Sequence, residues 1–576
     1  EELRMKCERC GTEFNDQERT CPNCGLSVTV KEPETPEQDG GGKKKKTILL
    51  AMIAVAVIAV CAAAAVISSR KDPKETVIAA FSQWMNAGEE SPSEKIFGFR
   101  QFANELGTKN SETSMTLRMD GSTGIDTSAI NGAALRLETK SDLENQKLGM
   151  DLTAVYGGMD FLGMNLYFGG RELMFASPEL IDPVLYLDLG EGLADRLAAS
   201  PTIGPMLAEQ GQDAEEVAAQ VDQFFDQAEQ VSQNPLDFAA LIERYQAGCK
   251  AQESFKAALT VERGEKGTFT LDGQEVSCDG YQVHVSKDSM IEFLRTSADF
   301  FLNDEEFRSQ YLEQLRLSAL LMEETLDSSL GEVLTAEELL EEDYGDVRAE
   351  VDELIALFDS QLTDVDMTVY VDSKGRLAQF EGTTTILPEP ESGEANSDLS
   401  FRVTAEGGSY LMENWNGELL ISQAGESVAI TFQKTGSYDG SLAASESVLK
   451  VEEAGTAALQ IVWSGSYDSS SGDFDLNFAL ESPEDAPVSI AGKGIVTELE
   501  KGTSITCVFD ELTLNAGEES VTVSGDFAYG PLTSEVTAPA GETMDVLAAT
   551  EDDWNNLLVS LYFKFISLIV GTADLS

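Results

Sequence analysis

The chain has 576 residues and a formal net charge of −63, from 39 Lys/Arg against 102 Asp/Glu. Residues 1–69 hold nine Lys/Arg and ten Asp/Glu, so a net of −62 falls on residues 70–576. Such a surface repels phosphate backbones and anionic headgroups, which argues against nucleic acid and acidic lipid as partners and for a solvating acidic surface.

The first element is a cysteine cluster. Cys7-Glu8-Arg9-Cys10-Gly11 is followed by Cys21-Pro22-Asn23-Cys24-Gly25. Each CxxC puts two sulfurs on one tight turn, and two such knuckles supply the closed tetrahedral thiolate site that zinc prefers. A segment this short has no core of its own, so Zn2+ on Cys7, Cys10, Cys21 and Cys24 would supply its folding energy. Residues 1–30 carry four basic and six acidic side chains and one aromatic, Phe14. That balance does not suit nucleic acid and fits either a small module that docks a cytoplasmic protein partner or a membrane-proximal structural cap. Met5-Lys6-Cys7 reads as a start, which would make residues 1–4 an extension.

A Pro/Glu/Gly linker and the tetrad Lys43, Lys44, Lys45 and Lys46 come next, then an uncharged run over residues 47–69. As a helix this run is about 34 Å long, enough for a bilayer core. The tetrad favours a cytoplasmic N-terminus, which suits reduced thiolates. The apolar run starts too far from the N-terminus for a cleavable signal peptide, and Val60 stands where a lipidation signal before Cys61 needs a small residue. The paired knuckles, linker, tetrad and single span resemble the zinc-ribbon single-pass membrane proteins of Gram-positive bacteria, including the TcaA-like envelope proteins. The resemblance covers residues 5–70 and implies location and topology: a cell-membrane protein with its N-terminus cytoplasmic and its bulk extracellular.

Beyond the span, the pattern predicts helices over 73–87, capped by Asp72, and over 92–106. From Thr113 to Asp188, alternation such as Met115, Leu117, Met119 predicts a half-buried antiparallel sheet with turns at Gly157-Gly158 and Gly169-Gly170. A helical interruption follows (Val217, Val221, Phe224, Phe225), a second helix ends near Gly248, and strands return over 255–285. Residues 286–362 are predicted helical, with Val347, Val351, Leu354, Ile355, Phe358 and Leu362 as one stripe. Residues 364–529 alternate almost throughout, as in Phe474, Leu476, Phe478 and Leu480 against Asp475, Asn477, Ala479 and Glu481. Each sheet therefore covers something on one side only. Curved sheets wrapped over helices give this pattern, which resembles the half-barrel of bacterial lipoprotein-carrier and lipid-binding envelope proteins. Residues 268–285 also resemble strands of clostridial-type surface proteins. Residues 554–570 form an apolar helix interrupted by Lys564, too short to span and expected to dock on the ectodomain.

Catalytic signatures are missing. The one histidine, His284, falls on the polar side of its strand, which removes His-based triads and zinc hydrolase sites. Ser447-Val448-Leu449-Lys450 and Lys434-Thr435-Gly436 mimic motifs of penicillin-interacting enzymes, but in the wrong order and within strands. Asp468, Gly472, Asp473 and Asp475 read as an acidic turn rather than a calcium loop. Cys249 and Cys278 are candidates for a disulfide, and Cys507 for a buried free thiol.

The expected fold is thus α+β: zinc ribbon 1–30, linker 31–46, transmembrane helix 47–69, an α+β ectodomain part 70–362, an antiparallel β-rich part 363–530, and a C-terminal linker with apolar helix 531–576. The expected function is a non-catalytic, membrane-anchored binding or scaffolding protein of the bacterial cell envelope, holding a lipid or peptide ligand, or an envelope protein, on a curved sheet. The alternative is a transmembrane sensor in which the ribbon reports to a cytoplasmic partner.

Overall fold

The computed structural model describes residues 4–6, 13–15, 72–105, 108–323, 336–388, 395–483 and 486–573. The chain divides into two compact units, residues 1–58 and 59–576. In the first, Arg4–Lys6 and Glu13–Asn15 pair antiparallel with Met5 opposite Phe14. Cys7, Cys10, Cys21 and Cys24, the lysine tetrad and residues 47–69 lie outside the described residues.

The second unit is built on a single sheet of 21 strands. Strands from Gln274–Val285 to Glu519–Pro531 follow one another as antiparallel neighbours in chain order, interrupted in sequence only by the helices before Val365–Val371. Glu519–Pro531 then pairs with Ser111–Thr123, from Pro531 opposite Ser111 to Ser520 opposite Thr123. From there the sheet runs through Ala134–Asp142, Lys147–Tyr156, Met159–Gly169, Glu172–Ala176 and Val184–Asp188. One edge is Thr543–Asp545, parallel to Val184–Asp188. The other is shared by Thr260–Arg263 and Gly267–Leu271, both paired with Gln274–Val285. Two-residue hairpins drive the meander. Glu453 faces Thr456 across Ala454-Gly455, both with positive φ (49° and 79°), the backbone that matches strand twist.

Several expectations are corrected. The α+β arrangement of sheets wrapped on helices gives way to one large antiparallel sheet with helices as partial covers. The cause is the pairing of Glu519–Pro531 with Ser111–Thr123, which merges two meanders that local alternation shows separately. The cell-membrane placement with one span, N-terminus cytoplasmic and bulk extracellular, is corrected too: among the described residues no helix is long and apolar enough to cross a membrane. The most apolar, Glu551–Ala573, opens with three acidic residues and carries Lys564. No group of His, Cys, Asp and Glu among the described residues could hold a metal ion, so the expected metal binding has no site among them. Cys249 and Cys278 are free thiols, not a disulfide, and Cys507 is a buried free thiol. Residues 255–258 end the helix Ala251–Ala258 instead of starting a strand.

Helices cover the two ends of the sheet's apolar face. Helix α1 (Pro73–Asn86) starts where Asp72 accepts from the Lys74 amide at 3.0 Å, with Pro73 at a position that needs no N–H. It buries Val77, Ile78, Phe81 and Trp84. Phe81 meets Phe380 edge-on at 5.2 Å, and Trp84 meets Trp415 at 5.9 Å. The strands beneath hold the driest core, Val365, Val369, Leu377 and Leu399. At the far end Phe225 of Ala214–Gln233 stacks on Phe168 at 5.7 Å, above a cluster of Leu193, Leu197, Leu207, Ala218 and Leu547. Two short helices, α2 (Pro92–Ile96) and α3 (Phe99–Glu105), lie between. The single helix expected over 92–106 breaks at Gly98, whose φ of +68° suits glycine.

The helix Glu551–Ala573 is held by one side to the loop 177–183 between Glu172–Ala176 and Val184–Asp188. Lys564 Nζ pairs with Asp182 at 2.6 Å and donates to the Pro178 carbonyl at 3.1 Å, and Ser560 donates to Asp182 at 3.0 Å. Leu558, Val559, Tyr562 and Phe563 on its other side are exposed.

Candidate apolar ligand site

Residues directly opposite in a ladder share a face of the sheet. Lys434 faces Ser447, Ser447 faces Trp463, Trp463 faces Phe478, Phe478 faces Ile490 and Ile490 faces Leu514. After the lysine and serine, this row is apolar across four strands. Burying an apolar side chain stabilises by about 1.5–3 kcal/mol, so a covered row would be the ordinary outcome. Here Trp463, Phe478, Ile490 and Leu514 stay 37–49% exposed. The helices cover the ends of this face and leave its middle open, where the half-barrel expectation filled the concavity with helices. Contiguous exposed apolar surface of this kind is a candidate for binding.

Beside the open row, α2 and α3 roof a recess of about 470 Å³. Ser91 caps α2 by accepting from the Glu94 amide at 3.2 Å. Phe97 then lies 4.8 Å from Tyr467 and 5.2 Å from Phe99. From the sheet, Phe474 and Phe509 meet edge-on at 5.5 Å and line the floor with Ile505 and Cys507. Its volume falls within the range of roughly 300–1,000 Å³ typical of small-molecule pockets, and its lining is mostly apolar. Burial pushes the Tyr467 hydroxyl and the Cys507 thiol above their usual pKa values, as expected in a dry lining.

One cation sits at this recess. Lys434 Nζ donates to the Tyr410 hydroxyl at 2.8 Å and lies 5.4 Å from that ring's centre. Its neighbour across the other strand pair, Trp415, stacks near Phe432 at 4.5 Å and carries a buried indole N–H with no acceptor among the described residues.

A larger hollow, about 920 Å³, lies on the opposite face of the sheet. Its walls are Ser464, Asn477, Thr513 and the ion pair Lys493–Glu511 at 2.6 Å. Water serves such groups as well as a ligand would, so its greater volume carries less binding energy than the apolar recess.

The residues singled out from sequence fall elsewhere. The four cysteines of the zinc motif lie outside the described residues. His284 is half-exposed and bonded to Asp366 at 2.8 Å, on the polar face as its alternation implies. Ser447 and Lys450 lie on opposite faces of their strand, so the S-x-x-K spelling brings nothing together; the lysine opposite Ser447 is Lys434. Asp468 accepts from Ser470 in an ordinary turn. The sequence signal that reaches the site is the alternation of Phe474, Leu476 and Phe478; the recess itself depends on α2 and α3, which no local pattern places.

No family model matches the chain, and no curated protein matches it. Among solved structures, similarity is found to a CymD monoaromatic hydrocarbon channel (8% identity, 78% of this chain and 94% of that one, TM-score 0.15). It is also found to the translocation pore of the P pilus usher PapC (6% identity, 72% and 62%, TM-score 0.17). Scores this low carry no argument for shared architecture or activity.

Proposed function

We propose that the chain is a non-catalytic envelope protein that binds an elongated apolar ligand, an acyl chain or an apolar peptide segment, on the open face of its sheet. The observation that carries this reading is the exposed row Trp463, Phe478, Ile490 and Leu514 running beside the roofed recess. Each covered side chain would regain part of its transfer free energy, and the recess would bury one end of the ligand. A scaffolding role fits the same geometry, because a large hydrogen-bonded sheet holds its faces rigid.

A neutral solvatochromic dye such as Nile red tests the reading with the full chain. It should bind with a blue-shifted emission, and Phe478→Ser with Ile490→Ser should weaken binding about tenfold, since both side chains are already exposed and the fold does not rest on them. Absence of binding, or unchanged binding to the double variant, would overturn it.

A further inference from the structure

Lys434 is out of place by charge. Carboxylates outnumber basic side chains 102 to 39 in this chain, yet among the described residues none comes within ion-pair distance of its Nζ, whose partner is the Tyr410 hydroxyl. In the strands from Asn414–Gln423 to Glu519–Pro531 the other lysines, Lys450 and Lys493, face the polar side, opposite Thr431 and Glu511. Lys434 alone faces the apolar side there, half-buried and lining the recess together with the buried Tyr410. Glu413 also lines the recess, but its carboxylate is held by the amide and hydroxyl of Ser409 at 2.5 and 2.7 Å. A half-buried ammonium set in an apolar wall costs free energy unless an anion meets it.

We propose that the recess takes a single-chain amphiphile with a carboxylate head, its chain beneath α2 and α3 and its head on Lys434 Nζ and the Tyr410 hydroxyl. This rests on the apolar-ligand reading above and names the ligand class of that site. The net charge of the chain opposes an extended anionic surface, but exposed charges beyond about 10 Å are screened at 0.1 M salt, whereas a carboxylate touching Lys434 is not. A charge-assisted hydrogen bond in a partly dry site outweighs that residual repulsion.

The test is displacement of bound Nile red from the full chain by oleate and by oleyl alcohol, which share a chain and differ in the head. Oleate should compete about tenfold more tightly than the alcohol. Lys434→Met should abolish the difference, and Lys434→Arg should keep it. Equal competition by the two ligands in the unaltered chain would overturn the head-group assignment while leaving the apolar site standing. That comparison needs no variant, so it decides the matter even if Lys434→Met misfolds. Survival of the preference in a folded Lys434→Met would also overturn it. Failure of Nile red itself to bind would remove both readings.

Discussion

The Gly502 amide donates to the carbonyl of Phe97 at 2.8 Å, tying the tip of one sheet hairpin to the end of α2. At the same place Gly98 turns the chain into α3 with φ +68°, and a Cβ there would stand 3.0 Å from Lys501 Cγ and 3.1 Å from the Gly502 nitrogen. The roof of the recess therefore hangs on two glycines that meet backbone to backbone.

Gly98→Ala should strain this joint. Left-handed backbone costs an L-residue about 1–2 kcal/mol, and the crowded Cβ adds to it. The expected outcome is a lower denaturation midpoint together with faster proteolysis within residues 92–105 and weaker Nile red binding. Unchanged proteolysis would show that the roof is held elsewhere.

Ala454, at φ +49°, carries the opposite opportunity. It sits in a two-residue hairpin where asparagine is better suited, so Ala454→Asn should stabilise by about 0.5–1 kcal/mol. Ala424, at φ +51° before Gly425, predicts the same effect. A rise in thermal midpoint for each variant is the measurement.

Acid sensitivity should trace in part to Asp304. Arg244 donates to it from Nε and Nη2 at 2.9 and 2.7 Å, and the Phe307 amide adds a bond at 2.8 Å. The Arg244 hydrogen bonds hold its carboxyl below the usual carboxylate range. A depressed pKa contributes stability above the unfolded value, roughly 3.9, and loses it as pH falls through the lower folded value. Asp304→Asn should therefore lower the urea midpoint at neutral pH, and the gap to the unaltered chain should close as pH falls below about 4. A gap that stays constant would exclude the ionised carboxylate as its source.

Thiol mapping separates the cysteines. Burial pushes the Cys278 thiol up to about 11, with Asp372 adding to the effect, and Cys507 is raised by burial as well. Cys249 is less buried. Alkylation of the native chain at mildly alkaline pH should mark Cys249 well before Cys278 or Cys507, and unreduced peptides should show no Cys249–Cys278 link.

For residues 1–30 we propose one equivalent of zinc on Cys7, Cys10, Cys21 and Cys24, on the strength of their thiolate donors and spacing. Metal analysis of the full chain should find it, and Cys7→Ser with Cys21→Ser should lose it. Full retention by the double variant would end the assignment.

The sequence by itself determined much of the local structure. Asp72 with Pro73 starts a helix, and Phe474, Leu476, Phe478 and Leu480 alternate as a strand with one apolar side, because capping and period-2 alternation are properties of adjacent residues. The place of His284 on the polar side of its strand was likewise legible from alternation. Only the tertiary structure decided that Glu519–Pro531 pairs with Ser111–Thr123, and so that one sheet exists in place of several. Neither strand carries a mark naming its partner some 400 residues away; that choice rests on which edges remain unpaired once the hairpins have formed. The candidate site follows the same division. Its apolar side chains were visible as alternation, but their exposure, the break at Gly98 and the meeting of Lys434 with Tyr410 arise from packing between distant segments, where burial depends on the cover a face receives and not on the pattern that creates it.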